Sequence, residues 1–249
     1  MKALILAAGE GTRLGPLTRQ CPKPMLPVGG APMLEHLVHL AVQHGASEVA
    51  INLHYKARTI VDHFGDGGRF GAHITYSFEP ELLGSAGAAR QLDWFLDERF
   101  YLLYGDVLTD LDLTVLAERH VATGAVASLA LYEVEDPSRC GMVQIDSDGL
   151  VRSFIEKPSR KEACGLLANA GVYVVDPTIL QYIPCDRAYD FGHDLFPDLL
   201  RHGLPMYAFP TSAYVLDIGA PERYVQAQTD FESGRYRPTH TPALLNGGS

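Results

Sequence analysis

An apolar strand that runs straight into a glycine-rich turn constrains this chain from its first residues. Lys2 to Ala7 reads as a buried strand, and Ala8-Gly9-Glu10-Gly11-Thr12-Arg13-Leu14 follows it without a break. Gly9 and Gly11 carry no Cβ, so the backbone there can approach a ligand closely. Successive N–H groups exposed in such a turn form an anion-binding concavity. Arg13, and Lys23 in the following Pro22-Lys23-Pro24-Met25, add a planar fork and a point charge for phosphate oxygens. The pattern is neither of the two commoner phosphate loops. Leu14 stands where the third glycine of G-x-G-x-x-G would be, and no Gly-Lys-Ser/Thr follows as in a P-loop.

The rest of the first half alternates helices and strands. Met33, Leu34, Leu37, Val38, Leu40 and Ala41 fall at helical spacing, with Pro32 placed to start the helix and Gly45 to stop it. Strands follow at 48–53, 73–78 and 100–104. Between them lie a helix at 57–64 and one that opens at Gly84-Ser85-Ala86-Gly87 and runs to about Leu96. The alternation predicts an α/β fold, a Rossmann-like, mostly parallel sheet flanked by helices. Ligands of such sheets bind at the carboxyl ends of the strands, where both glycine loops and Asp106 fall. Strand-like runs at 125–133, 142–145, 151–156 and 168–175 then predict a small antiparallel insertion. Helical stretches at 177–182 and 194–201, strands at 206–209 and 214–216, and a helix with Pro221 in its first turn follow. Residues 1–235 read as one domain and 236–249, without periodicity, as a loose tail. No internal repeat is visible, including the hexapeptide kind.

The 249 residues suffice for one large α/β domain or two small ones. There is no run of about 18 apolar residues to cross a membrane. The N-terminus enters a strand rather than a signal peptide, so the expected location is cytoplasmic with no membrane partner. Cys21, Cys140, Cys164 and Cys185 are scattered without a C-x-x-C pair, which predicts reduced thiols and no zinc site. Cys21, near Lys23, reads as an inert filler or as a thiol open to modifying reagents. The net charge of −10 argues against a nucleic-acid partner. Residues 2–24 set Lys2, Arg13, Arg19 and Lys23 against Glu10 alone, a local positive field for a polyanion.

Two aspartates end apolar strands: Asp106 after Tyr101-Leu102-Leu103-Tyr104-Gly105, and Asp217 in Leu216-Asp217-Ile218-Gly219-Ala220-Pro221-Glu222. Two carboxylates meeting at one sheet edge suit Mg²⁺, which is held by one or two carboxylates plus substrate phosphates and water. Helix capping is the other role open to Asp217.

The long arrangement Gly9-x-Gly11-Thr12-Arg13-Leu14 followed by Pro22-Lys23-Pro24 resembles the sugar-1-phosphate nucleotidylyltransferases, whose signature is G-x-G-T-R-L and then P-K-P. The resemblance extends from Lys2 to roughly Tyr224. It implies that Ala8, Gly9, Gly11, Thr12 and Arg13 bind the nucleotide, and that Asp106 and Asp217 hold Mg²⁺, Asp106 also facing the sugar phosphate. Glu156-Lys157-Pro158 matches the family's E-K-P, whose lysine contacts the sugar phosphate and whose glutamate contacts sugar hydroxyls. Asn169-Ala170-Gly171 matches N-x-G, where asparagine and glycine touch the sugar. The run from Glu79 to Gly87 looks like the base-binding loop, with Glu81, Gly84, Ser85 and Gly87 as its contacts. Its E-x-x-L-G-T-A-G form, with Ser85 for Thr, is similar to that of guanylyltransferases acting on mannose 1-phosphate, an acid there accepting from guanine N1–H and N2–H₂. Tyr189-Asp190-Phe191-Gly192-His193-Asp194 is similar to the same enzymes, Asp190 either facing the sugar or capping a helix. His54 and His193 read as solvated or structural.

The resemblance implies transfer of a nucleotidyl group from a nucleoside triphosphate to a sugar 1-phosphate, releasing pyrophosphate, with GTP and mannose 1-phosphate as the expected pair. Arg13 would hold the leaving pyrophosphate and Lys23 the reacting α-phosphate. Uridylyl, thymidylyl or cytidylyl transfer to a glucose-type or amino-sugar phosphate is the nearest alternative. A silent nucleotide-sugar sensor is the alternative of another class, and Arg13, Lys23, Asp106 and Asp217 argue against it. Oligomeric state stays open.

Overall fold

The computed structural model describes residues 1–134, 136–158 and 167–238. The strands, in chain order, are β1 (Lys2–Leu6), β2 (Pro27–Val28), β3 (Ala31–Pro32), β4 (Glu48–Leu53), β5 (His73–Phe78), β6 (Phe100–Tyr104), β7 (Val107–Thr109), β8 (Ala127–Glu133), β9 (Gly141–Ile145), β10 (Val151–Glu156), β11 (Leu167–Val175), β12 (Met206–Pro210) and β13 (Val215–Asp217). The α-helices are α1 (Met33–Gln43), α2 (Ala57–Phe64), α3 (Gly84–Gln91), α4 (Leu113–Thr123), α5 (Phe196–Arg201) and α6 (Pro221–Glu232).

Near-continuous apolar runs such as Ala3-Leu4-Ile5 and Leu102-Leu103 belong to strands covered on both faces, which is what parallel strands with crossover helices require. Side chains alternate across the sheet. Ala3 and Ile5 pack with Leu34, Leu37 and Val38 of α1, Ile60 and Phe64 of α2, and Leu113 and Leu116 of α4. Leu4 turns the other way, onto Ala86 and Ala89 of α3 and Phe196 and Leu199 of α5.

The nine-stranded sheet runs β10-β9-β11-β6-β1-β4-β5, with β8 beside β11 and β12 beside β8. Strands β6, β1, β4 and β5 are parallel and in matched register, Leu6 opposite both Tyr104 and Asn52, and Leu53 opposite Phe78. Their carboxyl ends, and the loops that leave them, therefore share one edge, as the alternation predicts. The antiparallel strands are continuous with this sheet: β11 pairs antiparallel with β6, Val172 opposite Leu103. Between Asn169 and Tyr173 its pairing with β8 shifts register, and Gly171 takes the left-handed φ of +69° that such a bulge needs.

The structure departs from the sequence reading in a few places. Residues 107–123 had no assignment there, and they form β7 and α4. Strand β7 pairs with β13 in a separate two-stranded antiparallel ribbon, Asp217 opposite Val107. Helix α3 stops at Gln91 rather than near Leu96. Residues 191–195 form a wide helical turn, Leu195 N–H donating to Asp190 O at 2.9 Å, that leads into α5. Tyr236, assigned to the loose tail, is only 2% exposed and packs on Tyr214 and His36 at ring separations of 5.2 and 5.7 Å. The rest of that tail from 239, and Cys164, lie outside the described residues. Among the described residues no helix is long and apolar enough to cross a membrane.

Candidate active site

Three loops leaving β1, β4 and β5 are tied together by one buried amide. Asn52 is 4% exposed near the end of β4. Its Oδ1 accepts the Ala7 N–H at 2.7 Å, and its Nδ2 donates to Glu79 Oε1 at 2.7 Å. Glu79 Oε2 accepts the Leu83 N–H at 3.0 Å. Asn52 and Glu79 line a cavity of about 430 Å³ together with Ala8, Gly9, Lys23, Gly84, Ser85 and Asp106. The acid of the expected base loop that reaches this cavity is thus Glu79, 1% exposed, whereas Glu81 is exposed and does not line it. Asn52→Leu keeps the volume but leaves the Ala7 N–H and one Glu79 oxygen without their partner. It is expected to cost about 2–4 kcal/mol in urea unfolding, and a loss below about 1 kcal/mol would contradict this account.

The two glycines of the first loop do different things. A Cβ on Gly11, at φ +65°, would sit 2.8 Å from Lys23 Cβ and 3.0 Å from Thr18 Cγ2, so the fold of the loop itself requires glycine. A Cβ on Gly9 would meet nothing within 4 Å, so the space there is open to a ligand. Lys23 is 6% exposed, and its Nζ lies 2.5 Å from Asp106 Oδ2. Of the four cations of residues 2–24, only Arg13 and Lys23 line the cavities described here. Lys2 sits at the opposite end of β1 on Asp97 and Phe95 O, and Arg19 is exposed. Thr12 is exposed and Gly11 and Gly87 line neither cavity; Gly87 instead packs beneath the Tyr189 backbone, to whose carbonyl it donates at 3.0 Å. Burial pushes the Cys21 thiol up, favouring the inert reading, and the nearby charge that opposes this is Lys56.

A second cavity of about 550 Å³ adjoins the first. Arg13, Asp106, Glu156, Lys157, Asn169, Gly171 and Asp217 all line it, while Tyr104, Asp106 and Asp190 line both. The β11 bulge turns Asn169 and Gly171 toward it, with the Gly171 N–H donating to Asn169 Oδ1 at 3.1 Å. Lys157, with φ +47°, holds a left-handed conformation that a non-glycine residue keeps only where its surroundings enforce it. Its N–H donates to Cys140 O at 3.1 Å, and its Nζ is 3.6 Å from Glu156 Oε1. Glu156 lies in a slot that only glycine leaves open: a Cβ on Gly141 would come within 2.6 Å of its Oε2, and one on Gly192 within 2.9 Å. Asp190 accepts from the backbone and hydroxyl of Ser85, both at 2.9 Å, so it caps α3 from a distant part of the chain as well as facing both cavities. His54 holds Glu79 O at 2.8 Å. His193 lines the larger cavity, and its pairing with Asp194 raises its pKa.

The ribbon brings the two aspartates together, the Ile218 N–H donating to Asp106 O at 2.8 Å. The walls around the Asp217 carboxyl, and next the charge of Asp106, raise its pKa against the pull of Lys23 and Arg13. Gly219 keeps this corner open, since a Cβ there would lie 3.0 Å from Asp217 Oδ1 and 3.3 Å from Arg13 Nη2. Two carboxylates whose mutual repulsion is only partly offset are a fitting donor pair for a divalent cation shared with phosphate oxygens. Among the described residues no group of three or more His, Cys, Asp or Glu could hold a metal by protein ligands alone.

Sequence reasoning did not find Asn52, Tyr104, Gly141 or Gly192 as site residues. A polar residue inside the apolar run Val49-Ala50-Ile51-Asn52-Leu53 was the available signal for the first. The other three become visible only when distant parts of the chain meet.

Geometrically this is an α/β protein with two contiguous cavities at the carboxyl edge of a parallel sheet, ringed by Arg13, Lys23 and Lys157 and joined at a carboxylate pair. The chain belongs to the nucleotidyl transferase family, whose profile matches residues 2–234. A UTP–glucose-1-phosphate uridylyltransferase of Synechocystis sp. is 41% identical over 98% of this chain and 66% of that protein. A mannose-1-phosphate guanylyltransferase of Mycobacterium tuberculosis is 34% identical over 93% of this chain and 65% of that protein. The chain thus spans about two thirds of the length of these curated relatives. HddC from Yersinia pseudotuberculosis, solved in complex with GMP-PN, is 30% identical and superposes with a TM-score of 0.78 over 92% of this chain and 99% of that one.

Proposed function

We propose that the protein transfers a nucleotidyl group from a nucleoside triphosphate to a sugar 1-phosphate. What supports this reading is the convergence of Arg13, Lys23 and Lys157 with Asp106 and Asp217 around two adjoining cavities. An oxygen of the sugar phosphate attacks the α-phosphorus in line, the bond from that phosphorus to the β-bridging oxygen breaks, and pyrophosphate leaves. The attacking oxygen is already ionised and needs no general base, so the protein's contribution is positioning and charge stabilisation. Lys157 anchors the sugar phosphate, Glu156, Asn169 and Gly171 hold the sugar, Lys23 bridges the α-phosphate and the incoming oxygen, and Arg13 holds the leaving pyrophosphate. Asn52, Glu79, Gly84 and Ser85 shape the end that takes the base. Mg²⁺ held by Asp106 and Asp217 would neutralise charge on the α-phosphate and the leaving group. Lys23 Nζ, 2.5 Å from Asp106 Oδ2, stands between the carboxylate that would hold the cation and the phosphate that the ammonium would hold.

Asp217→Asn is expected to weaken Mn²⁺ binding, followed by paramagnetic resonance in the presence of nucleotide, by at least about tenfold. Unchanged Mn²⁺ affinity would remove Asp217 from the metal site.

Guanylyl transfer to mannose 1-phosphate is supported by the form of the 79–87 loop, the Mycobacterium relative and the GMP-PN bound to HddC. Uridylyl transfer to glucose 1-phosphate is favoured by the 41% identical Synechocystis relative. Incubating the protein and Mg²⁺ with GTP, UTP, dTTP, CTP or ATP against mannose, glucose and amino-sugar 1-phosphates, scored by product, decides between them. The expected product is GDP-mannose; UDP-glucose as the main product selects the second reading, and no pyrophosphate from any pair rejects both. The proposed partners are thus a nucleoside triphosphate and a sugar 1-phosphate, with no nucleic acid or membrane, and the proposed location is the cytoplasm.

A further inference from the structure

Three consecutive residues that leave β4 each hold the backbone of another loop. His54 Nδ1–H donates to Glu79 O at 2.8 Å, in the loop that follows β5. The Tyr55 hydroxyl donates to Thr18 O at 3.1 Å, and Lys56 Nζ donates to Arg19 O, both in the segment that continues the glycine-rich turn. Lys56 Nζ also stands 5.4 Å from the centre of the Tyr55 ring, so the two side chains support each other while they grip adjacent carbonyls. Neither Tyr55 nor Lys56 lines the two cavities of the site.

The backbone of Lys56 is strained to make this grip. Its φ is +49°, in the left-handed region that favours glycine, and among the described residues the only other non-glycine residue there is Lys157 of the larger cavity. Helix α2 starts directly after Lys56 but does not ask for that conformation, since the residue before a helix is ordinarily extended. What the grip holds is a loop already closed on itself. Thr18 is 5% exposed, and its hydroxyl shares its proton between Gly11 O at 3.1 Å and Gly15 O at 3.2 Å. Leu14 is buried within the loop at 1% exposure, its N–H donating to Gly11 O at 3.0 Å. Arg13 therefore has fixed backbone on both sides, while its side chain is exposed along the larger cavity. The loop can still swing as a unit, because Gly11 at φ +65° and Gly15 at φ +54° are its pivots. Thr18 O and Arg19 O are the points at which a neighbouring element stops that swing.

We propose that Tyr55 and Lys56 are positioning residues which act through Thr18 and Arg19 to hold Arg13 on the leaving pyrophosphate. The proposal rests on the reading of Arg13 given above. A cation stabilises a transition state in proportion to how well it is preorganised, and a misplacement of about 1 Å costs on the order of 10²-fold. Because His54 holds Glu79 from the same short loop, the base end and the pyrophosphate end of the site share one anchor at the end of β4.

The test is a double-mutant cycle between this clasp and Arg13. Pyrophosphate release is followed with Mg²⁺ and either GTP and mannose 1-phosphate or UTP and glucose 1-phosphate. Arg13→Ala is expected to lower kcat by at least about 10²-fold. Tyr55→Phe keeps the ring and removes one hydrogen bond; it is expected to lower kcat about five- to tenfold alone, but less than about twofold on top of Arg13→Ala, where nothing is left to position. The affinity for a non-transferable nucleotide analogue, α,β-methylene GTP or α,β-methylene UTP, is expected to follow the same pattern in calorimetry, while KM for the sugar phosphate stays within about twofold. Lys56→Gly suits the left-handed φ, so its melting temperature is expected not to fall although kcat does; Lys56→Arg, which keeps a donor, is expected to restore kcat. A merely structural role would move the melting temperature and cost the same factor with or without Arg13. Equal factors in the two backgrounds, or unchanged kcat in both Tyr55→Phe and Lys56→Gly, overturn the proposal and leave the functional reading standing. An Arg13→Ala protein as fast as the wild type, or a wild type that releases no pyrophosphate from either pair, overturns the reading of Arg13 and the proposal with it.

Discussion

Lys23→Ala is expected to lower turnover at saturating substrate by about 10²- to 10³-fold, the scale of losing one preorganised charge from a phosphoryl or acyl transition state. That is about 3–4 kcal/mol of transition-state stabilisation. The effect is large because Lys23 is nearly enclosed, at 6% exposure, where water cannot stand in for its charge. The same substitution removes the ammonium that lies 2.5 Å from Asp106 Oδ2. Binding of the nucleotide analogue should therefore become more dependent on Mg²⁺ than in the wild type. Turnover within tenfold of wild type would remove Lys23 from the reaction.

Gly84→Ala is expected to destabilise the protein by at least about 3 kcal/mol, seen as a fall of roughly 6–12 °C in melting temperature. Gly84 opens α3 at φ +75°, where an L-residue pays about 1–2 kcal/mol for conformation alone. An added Cβ would also lie 2.5 Å from Tyr189 O and 2.8 Å from Tyr189 C and N, backbone that cannot swing aside. Tyr189 is held there by its own bonds: its N–H donates to Leu83 O at 2.8 Å, and its carbonyl accepts from Ala86 and Gly87 at 2.9 and 3.0 Å. Gly9→Ala is the control, since it meets no atom within 4 Å. It should melt like the wild type yet weaken the nucleotide analogue, and equal melting temperatures for the two variants would contradict the account of Gly84.

The parallel half of the fold was legible because each strand there is a short apolar run between helical patterns, and Lys2–Leu6, Glu48–Leu53, His73–Phe78 and Phe100–Tyr104 stand where the pattern puts them. Strand β7 was not legible: three residues directly after a turn carry no periodicity, and their partner β13 comes late in the chain. For the same reason the meeting of Asp106 and Asp217 was expected at a common sheet edge, whereas a ribbon outside the main sheet brings it about. Among the residues that line the cavities, Arg13 and Lys23 could be named from the glycine-rich loop and its cations, and Glu156, Lys157 and Asn169 only from the resemblance of their motifs to the family's. Choosing between Glu79 and Glu81 could not be done that way, because both are acids of one loop and only the Asn52 amide beneath it decides which turns inward. Lys2 illustrates the converse: a cation close in sequence to the loop lies a whole strand length from it, on Asp97.

The β7–β13 ribbon also orders events during synthesis. Chains begin to fold from the N-terminal side as they leave the ribosome. Strands β1, β4, β5 and β6 are mutually paired and all emerge early, so the glycine loop and the Asn52–Glu79 floor can form on a growing chain. Asp106 meanwhile has no carboxylate partner until residue 217 has been added, more than a hundred residues later. Closing so long a loop costs little more entropy than closing a shorter one, so the delay is one of translation rather than of stability. A nascent chain would thus form the loops that leave β1, β4 and β5 well before Asp217 could join Asp106.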